Sequence, residues 1–204
     1  MNINNKWVSD YIENINLAEI EWIKLDVDEL TRFYQENYLD MDEWKYITSD
    51  ISDGYVCSPL GLRYLHFNYN KTEYKFLLGI VNNNIGKKTI VAAMVYLENY
   101  YMFVEQIQPL IYISSLEVNS YFWNNGIYKR MCEEIINFIN PNQHIILSME
   151  SDMGRKYETG RIFKEILMKN GFKRTIWIDT FSIYSNKELY DIVCSKSKVL
   201  EKIN

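Results

Sequence analysis

The sequence predicts an α/β (α+β) protein in which antiparallel strands lead into a strand–turn–helix unit and are followed by a further strand, a helix and closing strand material. Three observations predict it. Residues 63–97 hold alternating and continuous apolar stretches separated by Asn- and Gly-containing turn material, the pattern of a meander. Residues 111–138 (IYISSLEVNSYFWNNGIYKRMCEEIINF) change period midway, from a buried strand over 111–118, through a polar turn over 119–125, to a helix opening at Gly126. Beyond them the period switches again, giving a strand over 144–149, a helix over 160–169 and one or two strands over 172–184.

From the start of the chain, Trp7, Val8, Tyr11 and Ile12 recur at three- and four-residue spacings, which predicts a short amphipathic helix over 2–15. Residues 18–25 (AEIEWIKL) alternate and form a first strand. Asp26 and Asp28 then cap a helix over 29–38, with Leu30, Phe33 and Tyr34 facing inward. An acidic, aromatic stretch over 39–47 has poorer periodicity, and 49–59 around Gly54 reads as irregular. Strands follow over 63–69, 74–81 and 89–97, the last two joined by the turn 82–88 (NNNIGKK) as an antiparallel hairpin. Residues 100–105 pair on as well, Pro109 breaks the run, and 111–118 resumes it.

The helix opening at Gly126 carries Ile127, Met131, Ile135, Phe138 and Ile139 as its stripe, places Cys132 on the core side, and stops at Asn140-Pro141. Residues 151–159 read as a loop rich in Ser, Asp, Gly and Arg. The helix over 160–169 has Ile162, Phe163, Ile166 and Leu167 on one side, and Asn170-Gly171 is its stop signal. A terminal helix is predicted over 187–202. With no repeats and no low-complexity tract, the chain reads as one domain over 1–204, with a core of about 18–184 and helical extensions at both ends.

Composition narrows the function classes. At 204 residues, 48% hydrophobic and 24% charged, the chain is long enough for one good core. It holds no run of 18 apolar residues and no signal peptide, so a cytoplasmic protein without membrane association is expected. Cys57, Cys132 and Cys194 are an odd, widely spaced set that fits reduced thiols. The net charge of −5 hides an asymmetry: residues 1–60 carry 13 acidic and 4 basic side chains, leaving 14 acidic and 18 basic of the totals of 27 and 22. The front repels nucleic acid, and the mildly basic remainder tolerates a polyanionic ligand at a local site. The same acids also serve simply as a solvated helix face. The 15% aromatic content and the terminal extensions leave a homodimer open.

Walker A, Gly-x-Gly-x-x-Gly, Cys-x-x-Cys and His-Glu-x-x-His patterns are all missing, and only His66 and His144 are present. A histidine-based metal site or a Ser-His-Asp triad has little to draw on, and both histidines fall in strands. What remains is the turn before Gly126. The first N–H groups of a helix lack partners within it and the helix dipole adds positive charge there, so the turn suits an anion such as phosphate.

Leu116-Glu117-Val118, followed by Tyr121-Phe122-Trp123-Asn124-Asn125-Gly126-Ile127-Tyr128, resembles the acyl-CoA-binding motif of the GNAT superfamily of N-acetyltransferases. That motif is a Leu-x-Val strand end, then Arg or Gln, two residues, Gly, one residue, and Gly or Ala. Gly126 stands at the Gly, Trp123 where Arg or Gln is usual, and Tyr128 where a small residue is usual. In that superfamily a strand and a helix ending in Gly-Phe come next, as at Asn170-Gly171-Phe172. By element order the resemblance spans about 18–184.

The resemblance implies a mixed, mostly antiparallel central sheet flanked by helices, with a splayed strand pair at the acyl-CoA site. It further implies acetyl-CoA as acyl donor, no metal, and a primary amine acceptor, either a small molecule or a protein Lys or N-terminus, attacking directly in a ternary complex. The pyrophosphate would lie on the backbone N–H groups of Asn124, Asn125, Gly126, Ile127 and Tyr128. Asn124, Asn125 and Lys129 add donors, Trp123 either stacks or simply covers the turn, and backbone groups of Leu116 and Val118 meet the pantetheine arm and thioester carbonyl. Glu117 is the candidate base, its alternatives being a solvent-facing strand residue or a substrate anchor.

The superfamily's usual Tyr acid corresponds to Leu167. Tyr157 is the nearest upstream tyrosine and stands as a substitute acid or as a packing or surface residue. The Asn that often begins that helix corresponds to Gly160. A cationic amine would be lined by Asp28, Glu29, Tyr34, Tyr38, Asp42, Glu43, Trp44 and Tyr46, the alternative being core aromatics with solvated acids. The departures at Trp123, Tyr128, Gly160 and Leu167 keep open a catalytically impaired CoA-binding or protein-interaction module.

Overall fold

In the computed structural model of the chain, the described residues are 15–37, 74–100, 110–119, 122, 125–138, 144–148, 156–178 and 181–185. The segments predicted over 2–14, 39–69, 101–105 and 187–202 lie outside them.

Asp26 ends one element and starts the next. Strand β1 (Glu21–Asp26) runs directly into helix α1 (Val27–Asn37). Asp26 Oδ1 accepts from the Glu29 backbone N–H at 2.8 Å, and the Asp26 N–H donates to Glu29 Oε2 at 2.9 Å, a reciprocal capping box. The helix therefore starts at Val27 rather than at 29, and Asp28 lies inside its first turn. The strand starts later than the alternation suggests because Leu17–Glu19 forms a 3₁₀ turn. There the Asn16 side chain accepts from the Ala18 N–H at 3.1 Å and donates to Glu19 Oε1 at 2.7 Å.

The remaining described elements are β2 (Tyr74–Asn82), β3 (Lys88–Tyr100), β4 (Leu110–Val118), α2 (Ile127–Phe138), β5 (His144–Ser148), α3 (Lys156–Lys169), β6 (Lys173–Ile178) and β7 (Phe181–Ser185). The strands hydrogen-bond in the order β1-β2-β3-β4-β5-β7-β6. Pairs β1/β2, β5/β7 and β6/β7 are antiparallel and β4/β5 is parallel. This is the mixed, mostly antiparallel sheet with helices that the resemblance implies. The closing segment resolves into two strands, with β7 between β5 and β6.

The chain divides into two compact units. The first comprises Met1–Val95 and Ser115–Met131. Its core joins Leu30, Phe33 and Tyr34 of α1 with Phe76, Leu77, Leu78 and Ile80 of β2 and the buried run from Ile90 to Val95 in β3. A strand this continuously apolar is buried on both faces. Helix α1 is tied to the β2–β3 hairpin by polar groups. Asn37 Oδ1 accepts from the Lys88 N–H at 2.9 Å, and Lys87 Nζ donates to the Glu36 carbonyl at 2.6 Å, so a terminal helix carbonyl finds a cation. Asn83, itself buried, accepts from the Ile85 and Lys87 N–H groups at 3.2 and 2.7 Å and shapes the hairpin turn from within.

Gly79 of β2 sits opposite Trp22 of β1. A Cβ there would stand 2.9 Å from Trp22 Cζ3 and 3.2 Å from Ile20 Cγ2, so the indole occupies the space a side chain would need. Gly79→Val is expected to displace Trp22 and destabilise the protein by roughly 1–3 kcal/mol, read as a lowered urea midpoint.

The second unit comprises Tyr96–Ser114 and Cys132–Asn204. Ile111, Ile113, Cys132, Ile135, Phe163, Ile166, Leu167 and Phe172 form its core. Helix α3 starts at Lys156, ahead of the 160 predicted, so Tyr157 and Gly160 are helical and the loop reading of Tyr157 is corrected. Glycine is a poor interior helix residue and reads as a boundary, which hides the first turn. The other end is as predicted: Gly171, at φ 85°, donates its N–H to the Met168 carbonyl at 3.2 Å, and Phe172 donates to Leu167 at 3.0 Å. This is a Schellman motif with buried Phe172 against buried Leu167 as its apolar pair positions. Gly171→Ala is expected to cost about 1 kcal/mol because alanine resists a positive φ, measurable by urea denaturation.

No helix among the described residues is long and apolar enough to cross a membrane.

Candidate functional site

Strand β4 buries alternate residues as its period dictates: Ile111, Ile113, Glu117 and Asn119 are buried, whereas Tyr112, Leu116 and Val118 are half-buried. Glu117 is thus on the inward face, only 7% exposed, which removes the solvent-facing reading. A glutamate so deep is uncommon and points to a role beyond solubility. Among the described residues, the parallel register with β5 runs from Leu110↔His144 to Ile113↔Leu147.

The exit of β4 is fixed by backbone bonds. The Asn119 N–H donates to the Val91 carbonyl of β3 at 3.0 Å, and the Asn119 carbonyl accepts from the Phe122 N–H at 2.9 Å. Phe122 is buried. The chain then reaches Gly126, whose φ of 72° lies in the left-handed region that favours glycine. A Cβ added there would meet nothing within 4 Å, so the backbone faces open space where another molecule can approach. Gly126 also starts the helix: its carbonyl accepts from the Arg130 N–H at 3.1 Å.

Helix α2 is anchored by Ile127 and Met131, both essentially inaccessible, so its first turn is held by apolar packing. That turn contains no acidic residue. It carries Lys129 and ends at Arg130. Helix starts usually attract Asp or Glu, because negative charge complements the positive end of the dipole; basic residues there make the region more positive still. The arrangement suits an anion. Arg130 Nη1 donates to the Leu17 carbonyl at 2.6 Å, joining this turn to the 3₁₀ turn ahead of β1.

Of the residues the sequence singles out, Leu116, Glu117, Val118, Asn125, Gly126, Ile127, Tyr128 and Lys129 fall along this one strand–turn–helix. Asn125, Gly126 and Lys129 are exposed and Tyr128 is half-buried, while the Ile127 side chain belongs to the core and leaves only its backbone for a ligand. Trp123 and Asn124 lie outside the described residues. Tyr157 is placed on α3, and Leu167, at the expected acid position, is fully buried.

The suggested amine lining changes most. Glu29 is engaged in the α1 capping box. Tyr34 is 1% exposed and meets Phe33 edge-on, with centroids 6.4 Å apart. Asp28 is exposed, and Tyr38, Asp42, Glu43, Trp44 and Tyr46 lie outside the described residues. Sequence reading missed Asn119 and Arg130. Asn119 follows the strand as a turn residue would, and nothing local marks the partner of Arg130.

No protein-family model matches the sequence, and no curated protein does. Solved structures do. The structure of AtaTR bound with AcCoA matches with a TM-score of 0.50 at 8% identity, over 85% of this chain and 98% of that chain. The KacTA–DNA complex matches with a TM-score of 0.48 at 6% identity, over 84% and 98%. A GNAT family acetyltransferase of Staphylococcus aureus matches at 20% identity over 58% and 76%, with a TM-score of 0.36. With its mixed sheet and the helix opening at Gly126 after β4, this chain has the fold of the GNAT acetyltransferases.

Proposed function

We propose that the protein is an N-acetyltransferase that moves an acetyl group from acetyl-CoA to a primary amine by direct attack in a ternary complex. One observation carries the reading: in a GNAT fold, the turn at Gly126 opens a helix whose first turn is basic and free of acids, nine residues after buried Glu117 on the adjoining strand. The AtaTR structure, which shares this fold, is bound with AcCoA.

Acetyl-CoA would supply the thioester carbonyl and the thiolate leaving group. The backbone N–H groups from Asn124 to Tyr128 would bind the pyrophosphate, with Asn125 and Lys129 as side-chain donors. Trp123 would cover the turn, and backbone groups of Leu116 and Val118 would orient the pantetheine arm and polarise the thioester carbonyl. Glu117 would take the proton that the amine loses as its N–C bond forms and the C–S bond breaks. Tyr157 is the candidate to reprotonate the thiolate. Cys132 is buried and in no disulfide, in keeping with direct transfer rather than a cysteinyl intermediate.

A second reading, a CoA-binding or protein-interaction module, is favoured by Leu167, because a buried leucine at the usual acid position supplies no proton. Thiol release with a panel of small and peptide amines separates them. The enzyme reading expects amine-dependent release of free CoA; saturable binding with no release by any amine would favour the module.

A further inference from the structure

We infer that Arg130 is a positioning residue that locks the first turn of α2, and with it the anion-binding face of that helix, to the 3₁₀ turn ahead of β1. The contact is one charge-assisted bond, Arg130 Nη1 to the Leu17 carbonyl at 2.6 Å, across a long stretch of chain. Bonds from a guanidinium are stronger and shorter than neutral ones, and a half-buried one is less exposed to competing water.

The acceptor end is built to stay in place. Asn16 holds the turn from both sides, accepting from the Ala18 N–H and donating to Glu19 Oε1, while the Glu19 N–H returns to the Asn16 carbonyl at 3.1 Å. Ile20 and Trp22 just beyond it fill the space over Gly79, and β1 pairs with β2 along its whole length from Glu21↔Ile80 to Asp26↔Lys75. The Leu17 carbonyl is therefore a fixed point of the β1–β2 sheet edge rather than a passing loop contact.

The donor end explains why an arginine stands there. A cation in the first helical turn works against the helix dipole, so its presence needs an offset. A carbonyl oxygen at 2.6 Å gives part of it, and a bound anion would give the rest. The fixed guanidinium orients the N–H groups of the turn from outside, as a second layer of contacts does around any rigid binding site. Occupancy of the helix start and order in the 17–20 segment are then linked, and the linkage is reciprocal.

The part of this inference that concerns acetyl-CoA rests on the function proposed above; the link between the two turns does not. Amide hydrogen exchange on the full chain, with and without acetyl-CoA, tests both parts in wild type, Arg130→Met and Arg130→Lys. Without ligand, Arg130→Met is expected to speed exchange in residues 17–20 and in the first turn of α2 together. Unchanged exchange in either segment would overturn the link, whether or not the protein binds acetyl-CoA. With ligand, wild type is expected to gain protection in residues 17–20 and Arg130→Met to lose that gain, with a dissociation constant for acetyl-CoA raised about tenfold. Arg130→Lys should recover part of both effects. Weakened affinity without any ligand-dependent protection at 17–20 in wild type would mean that Arg130 acts by touching phosphate directly, and would overturn the positioning role. Failure of wild type to bind acetyl-CoA would count against the proposed function and leave the ligand-free comparison to decide the link.

Discussion

Gly126→Glu is expected to abolish acetyl-CoA binding while leaving the protein folded. At φ 72° any residue with a Cβ is strained by roughly 1–2 kcal/mol, a loss that a domain of ordinary stability survives. Nothing lies within 4 Å of the added Cβ, so the side chain is not refused on steric grounds. Its carboxylate would instead project where the pyrophosphate is proposed to lie, and like charges at such range repel by several kcal/mol when partly shielded from water. Gly126→Asn separates strain from charge, since asparagine tolerates a positive φ and carries no charge. Thermal denaturation reads the outcome. Acetyl-CoA at one hundred times its dissociation constant stabilises a binding protein by about 2.7 kcal/mol. Wild type and Gly126→Asn should gain stability with ligand and Gly126→Glu none; an equal gain in Gly126→Glu would mean that the phosphates lie elsewhere.

Glu117→Gln is expected to lower kcat by roughly 10²–10⁴-fold with little change in acetyl-CoA affinity, the effect of removing a general base. Glutamine keeps the shape of a side chain that is 7% exposed, so packing on β4 is preserved and the loss falls on chemistry. A kcat within about twofold of wild type would remove Glu117 from the proton transfer.

The elements that position this site were legible wherever a single local cause dominates. The switch from period two to period 3.6 within residues 111–138 marks β4 and α2, and Gly126 and Gly171 mark turns because each has a positive φ that other residues resist. Asp26 was visible as a cap, although its reciprocal bond with Glu29 places the helix start at Val27 and withdraws Glu29 from the ligand roles considered for it. Tyr34 looked equally suited to core and to a cation-binding wall; full burial against Phe33 puts it in the core.

What stayed hidden depends on partners distant in sequence. Arg130 meets a backbone carbonyl, which no sequence pattern advertises. Asn37 looks like an ordinary helix residue and Asn83 like an ordinary turn residue, yet both are buried and bonded to the hairpin backbone. Glu117 could be named from its place beside the Leu-x-Val strand end, but its burial follows from strand alternation set by Ile111 and Ile113, and only the folded strand distinguishes it from a surface acid.

The central claim is that the turn at Gly126 holds the phosphates of acetyl-CoA. Isothermal titration of the wild-type chain with acetyl-CoA, set beside Gly126→Glu, tests it most directly. A single saturable site in wild type that is absent from the variant is the expected result; no saturable heat and no thermal stabilisation in wild type, or equal affinity in both proteins, would contradict it.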